Sequence, residues 1–333
     1  LPSGNLVVSD ENGFYVFRPV GTFAGTISVN TIWDGAITIS GNTTVSAGVT
    51  LTIKPGANIT VAPNACLIVD GNLVVEGTSS QPVVMNRSGS SGVWGGIIFN
   101  SGSSGTVSYA TIRNVSKGIR VTSTAPTIQN CTIESFTEQG IYVINGNSKI
   151  LTNTINGWSG SARVGTGIYV DNSGLGSSTL EITGNTVKGS VVGIDVTAPV
   201  LKLEQNTLGT FGTYTTASSN AYGIVFAGVG TVTNNKTYGD NTNSWGISLA
   251  ANTGTKSTTF NLLDHHNIGL VDNGFQNGSI SRNTFSNNGT GFNNSDGWMT
   301  ANENNFWDNP STTYNIANVS TSCPDHTNNY LES

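Results

Sequence analysis

The chain has 333 residues, of which only 10% are charged, with a net charge of -6 and a pI of about 4.9. An ordinary domain carries roughly 25% charged residues, so the surface is expected to be polar and mostly uncharged. The acidic balance argues against nucleic acid or an anionic membrane surface as partner, and no apolar run approaches the roughly 20 residues of a membrane span, which argues against membrane insertion.

Residues 1–35 contain strand-like stretches, Phe14-Tyr15-Val16-Phe17 and Thr26-Ile27-Ser28-Val29, whose spacing differs from that of the rest of the chain, and they are expected to form an N-terminal cap. From Ala36 the alternation becomes dense: Ile37-Thr38-Ile39, Val49-Thr50-Leu51-Thr52-Ile53, Ile59-Thr60-Val61 and Leu67-Ile68-Val69 are broken by Pro55-Gly56, Pro63-Asn64 and Asp70-Gly71. In-out alternation over four or five residues predicts short strands, and these pairs are turn chemistry.

A regular device then begins. It runs Gly96-Ile97-Ile98-Phe99, Gly118-Ile119-Arg120-Val121, Gly140-Ile141-Tyr142-Val143, Gly167-Ile168-Tyr169-Val170, Gly193-Ile194-Asp195-Val196, Gly223-Ile224-Val225-Phe226 and Gly246-Ile247-Ser248-Leu249, with weaker copies at Gly269 and Gly291. The steps between glycines are 22, 22, 27, 26, 30, 23, 23 and 22 residues, a repeat with tolerated insertions. A second series interleaves: Asn130, Asn153, Asn185, Asn206, Asn235, Asn283 and Asn305. A fixed period in the twenties indicates a solenoid in which each coil buries the apolar face of the next. Asparagine at the bend is expected to adopt left-handed φ and stack on its neighbour, and glycine to open the next strand at a tight turn.

These Gly-Ile-x-Val and Asn-x-Ile copies, together with Trp94-Gly95-Gly96, resemble the repeats of the right-handed parallel β-helix superfamily, which includes pectate-lyase-like enzymes. The resemblance covers roughly residues 36 to 310. It implies an all-β, single-stranded right-handed parallel β-helix solenoid with N- and C-terminal caps: cap 1–35, helix 36–310, tail or cap 311–333. That superfamily holds lyases, hydrolases, epimerases, tailspikes, adhesins and surface proteins, so function has to come from the site.

Enzymes of this architecture need acidic groups and a basic group clustered on one face. With Ile and Val inward, the x position faces out, and successive x residues are Ile98, Arg120, Tyr142, Tyr169, Asp195, Val225, Ser248, Val271 and Asn293. The catalytic candidates are therefore Asp195, Asp171 one strand end away, and Arg120. Tyr142 and Tyr169, with Trp158, Phe211 and Tyr214 from the mid-chain insertions, are candidates for carbohydrate or lateral protein contact. A single carboxylate in the column argues against catalysis, and no lyase or hydrolase turnover is expected.

Asp264-His265-His266 sets an acid beside two histidines, but neighbours on a strand face opposite ways, so both imidazoles cannot meet one ion without a bulge. His326 is the remaining histidine. Neither a metal nor a cofactor is expected. Among three cysteines, Cys66 and Cys131 are read as too far apart to pair, and Cys323 is the candidate for an intermolecular disulfide. Ten Asn-x-Ser/Thr sequons occur, several expected by chance; those at the asparagine series read as structural.

The chain begins at Leu1, which reads as a processed end, and the expectation is a secreted, extracellular or cell-surface protein. The scarcity of charge leads to a structural or surface protein that associates with copies of itself in an envelope, sheath or filament. A carbohydrate-active enzyme, polysaccharide lyase or glycoside hydrolase, is the alternative, and a carbohydrate-binding adhesin or tailspike-like protein is another. The expected partners are other copies of the chain and a polysaccharide.

Overall fold

The computed structural model describes residues 6–10, 13–159, 162–197, 201–210, 212–213, 215, 219–242, 244–250, 255–273, 278–294, 299–309, 316–318 and 330–331, with backbone alone for 6–20, 158–159, 201, 299, 316–318 and 330–331. Among the described residues there is no helix, and parallel strands stack as a β-solenoid. The chain divides into two units, 1–155 and 156–333.

In the first unit, Leu6–Asp10 pairs antiparallel with Gly13–Ile27, which then pairs in parallel with Thr31–Val45. Parallel pairing in this unit includes Thr26 and Ile27, the register partners of Thr44 and Val45. The long strand Thr31–Val45 bends across the coil and meets three shorter ones, Thr50–Ile53, Asn58–Val61 and Cys66–Val69. Three sheets grow from it. Ile37, Ile59, Met85, Ile112 and Ile133 are successive register partners in one, and Leu67, Ile97, Ile119 and Ile141 in another. All nine are buried.

The second unit repeats the plan. Its first sheet stacks Thr166–Asp171, Val192–Thr197, Tyr222–Phe226, Trp245–Ala250, Ile268–Asn273 and Thr290–Asn294. Ile168, Ile194, Ile224, Ile247, Leu270 and Phe292 form its inward column, each fully buried. A second sheet runs from Glu181–Thr183 to Met299–Asn302 and a third from Thr186–Lys188 to Tyr330–Leu331.

The bends work differently from the simple expectation. In the second unit a ladder joins Asn185, Asn206, Asn235, Asn261, Asn283 and Asn304, each Nδ2 donating to the next Oδ1 at 2.9–3.1 Å. Each Oδ1 also accepts the backbone N–H of the preceding member, as from Asn206 to Asn235 at 3.0 Å. Left-handed φ falls on the residue just before a ladder asparagine, on Gln205, Asn234, Phe260, Arg282 and Glu303. That turn aims the asparagine side chain into the coil, where it caps amides no strand can satisfy. Asn130 is accordingly outside the ladder, with φ 54, and Cys131 takes the inward place; Asn304 rather than Asn305 is the last member found. The sequon asparagines Asn235 and Asn288 are fully buried, and both side chains donate, Asn235 Nδ2 to the carbonyl of Leu203 and Asn288 Nδ2 to that of Leu263. The repeat glycines are required by close approach: a Cβ on Gly193 would lie 2.5 Å from the carbonyl oxygen of Gly223 in the next coil, and one on Gly223 equally near that of Gly246.

Candidate functional site

Tyr169 and Asp195 are register partners on adjacent strands, and Asp171 pairs with Thr197 two residues further along. Asp171 and Asp195 therefore sit diagonally on the outer face of one sheet. One strand spacing sideways and two residues along put their Cα atoms about 8 Å apart. Asp195 is partly buried, and that burial first, then the charge of Asp171, holds its carboxyl above the ordinary aspartate value. Asp171 Oδ1 accepts the N–H of Ser173 at 3.0 Å, which fixes its direction at the strand end. Two neighbouring carboxyl groups whose environments push their proton affinities apart are the arrangement from which an acid and a base can be drawn.

The same strands open with a column that sequence reading missed: Thr166, Val192, Tyr222, Trp245, Ile268 and Thr290 are successive register partners. Tyr222 and Trp245 meet edge to face with centroids 4.8 Å apart, both partly exposed. The signal was available, since each residue immediately precedes a repeat glycine; it is lost when only the x position is tracked. Further along the x column, Ser248 and Val271 are buried rather than outward to solvent, and Asn273 Nδ2 donates to Ser248 Oγ at 3.1 Å. The apolar stripe is thus shorter than expected.

Arg120 and Tyr142 belong to the first unit, where they are register partners with Arg120 exposed. Lys117 Nζ lies 5.7 Å from the Tyr142 ring centroid and pairs with Glu138, whose carboxyl that hydrogen bond holds low. Trp158 lies in a two-residue antiparallel hairpin, Trp158–Ser159 with Ala162–Arg163. Phe211, Tyr214, Cys323 and His326 lie outside the described residues. Arg163 from that hairpin is buried, donating to Ser219 Oγ and to Asp240 Oδ2, each at 2.6 Å.

The Asp264-His265-His266 group divides at a left-handed residue, His265 with φ 59. His265 Nδ1 lies 2.9 Å from Asp264 Oδ1, which also accepts from Ser286 Oγ and Asn287 Nδ2. His266 turns into the coil, its Nε2 3.0 Å from Thr237 Oγ1, and burial lowers its pKa to about 4. The two imidazoles do not converge, and among the described residues no group of three His, Cys, Asp or Glu side chains could hold a metal ion. Lys256 is an interior residue: its Nζ donates to the carbonyls of Phe226 at 3.0 Å and Ala250 at 2.5 Å, and burial lowers its pKa to about 7. Cys66 and Cys131 are both free thiols.

Fold and face together define a parallel β-solenoid with an acidic, aromatic outer sheet. Residues 25–114 match the family described as the pectate-lyase like beta helix domain, in line with the resemblance read from the repeats. Among solved structures, the mannuronan C-5 epimerase AlgE4 A-module of Azotobacter vinelandii is similar at a TM-score of 0.52 and 12% identity, over 91% of each chain, a likeness of fold. An alginate lyase from Paenibacillus sp. str. FPU-7 aligns at a TM-score of 0.37 and 17% identity, over 80% of this chain and 93% of that one. No curated protein matches the sequence.

Proposed function

We propose that this is a carbohydrate-active β-helix protein that seats a polysaccharide on the outer face of the second unit and hydrolyses it with Asp171 and Asp195. The observation that carries the reading is the diagonal pair itself. The two side chains project from the same outer face of adjacent strands with Cα atoms about 8 Å apart, neighbours of the kind that a glycosidase's pair of carboxyl groups must be. Asp195, whose carboxyl burial and then the charge of Asp171 hold above the ordinary aspartate value, is the member of the pair better suited to protonate the leaving oxygen. Asp171 is suited to activate the water. The expectation of no turnover rests on the lack of a trio of ionisable groups at one face of adjacent coils; the present reading needs only the pair Asp171 and Asp195. Release of reducing ends from a polysaccharide panel tests the reading: turnover by the native protein that falls at least 100-fold in both Asp195→Asn and Asp171→Asn supports it. Turnover unchanged in both variants, or none on any substrate, overturns it.

Self-association at a cell surface is the second reading, favoured by Phe260 and Trp307, each 52% exposed on an otherwise weakly charged chain. Sedimentation of native protein with and without reductant tests it, and also tests a bridge through Cys323. A monomer at high concentration in both cases sinks this reading and leaves the first intact.

A further inference from the structure

We infer, resting on the carbohydrate reading above, that the polysaccharide seated on this face is uncharged rather than a polyuronate. Three observations converge. First, the six strands of the sheet, from Thr166–Asp171 to Thr290–Asn294, contain no Lys or Arg, while Asp171 and Asp195 lie on their outer side. A chain bearing a carboxylate on every sugar would meet like charge here and find no cation to neutralise it.

Second, the described cations of the second unit lie off this sheet: Lys188 and Lys236 belong to strands of the third sheet, and the others are paired or interior. Arg163 is buried against Asp240, Lys202 pairs with Glu204, and Arg282 pairs with Glu303. Lys256 is interior, with both carbonyl contacts inside the coil. Recognition of a uronate depends on guanidinium or ammonium groups aimed at its carboxylate, and this sheet supplies none.

Third, Tyr222 and Trp245 give the face what a neutral sugar needs. The C–H-rich side of a pyranose is apolar and packs on an aromatic ring, while its hydroxyls find acceptors and donors at the rim. The pair meets edge to face with centroids 4.8 Å apart, and both residues are partly exposed.

Equilibrium binding tests this with soluble β-glucan, xylan and galactomannan as neutral probes and polygalacturonate and alginate as charged ones. The expected result is that at least one neutral polysaccharide binds, that raising the salt tenfold changes its affinity less than twofold, and that Trp245→Ala weakens it at least tenfold. Tyr222→Ala should weaken it as well, with thermal melts confirming that both variants are folded. A second arm does not depend on removing an aromatic: Asp195→Lys should create measurable, salt-sensitive binding of polygalacturonate where the native protein has none. Tighter native binding to a polyuronate than to every neutral probe overturns the inference while leaving the carbohydrate reading standing. Binding to neither class overturns both.

Discussion

Cys131 occupies an asparagine's place beside Asn153: its backbone N–H donates to Asn153 Oδ1 at 2.9 Å, and its thiol lies 3.4 Å and 3.3 Å from the carbonyls of Val107 and Gln129. Asn206 makes the equivalent contacts with its Nδ2, to Ile182 and Glu204, both at 3.0 Å. Asparagine should therefore be accepted at 131, and Cys131→Asn is expected to match or exceed the native melting temperature. Asn206→Ala should instead cost about 2–4 kcal/mol, because the buried amide of Asn185 loses its acceptor. Denaturant unfolding of the two variants checks both statements.

Burial raises the Cys131 thiol to about 12, against hydrogen bonds that act to lower it. In native protein at pH 8 this thiol is expected to resist iodoacetamide and to react only after unfolding, since the thiolate is the nucleophile. Mass spectrometry of peptides from native and denatured samples reads the difference.

His266 stands where the second run of inward asparagines would put one: its N–H donates to Asn288 Oδ1 at 2.9 Å, and that of Asn288 donates to Asn309 Oδ1. Its folded pKa of about 4 lies below the ordinary 6.5, so the unfolded chain takes up a proton first as pH falls. The stability it contributes is present above pH 6.5 and is lost between 6.5 and 4, by about 3 kcal/mol. His266→Asn should flatten that window. Urea midpoints at pH 7 and pH 4.5 for both proteins provide the measurement.

Ile194 is fully buried between Ile168 and Ile224. Ile194→Asp would place an unpaired charge in the column and should cost about 4 kcal/mol or more, lowering soluble yield. Asp195→Asn next to it faces outward and should leave the melting temperature within a few degrees. The contrast between adjacent positions arises from strand alternation alone.

The period of the fold was legible because Ile and Val recur in step with the repeat glycines, and burial of every one of those isoleucines results from it. The bends were not fully legible: Asn-x-Ile marks the neighbourhood of a bend, but which of two adjacent residues turns left-handed depends on the coil, as Asn130 and Cys131 show. At the candidate site, Asp195 and Tyr169 were visible as one column. Their diagonal relation to Asp171, and the aromatic pair of Tyr222 and Trp245, required the register between strands of unequal loop length. The burial of Ser248 and Val271 depends on neighbours from other coils, which no single-repeat pattern encodes.

The most direct test of the glycan-binding face is to locate a bound neutral oligosaccharide by NMR chemical-shift mapping on isotope-labelled protein. Saturable shifts are expected at the Trp245 indole N–H and at the backbone amides of Tyr222, Val225 and Asp195, with smaller effects on the opposite sheets. Saturable binding whose shifts lie wholly outside the six-strand sheet, leaving Trp245 and Asp195 unmoved, would contradict the assignment of this face.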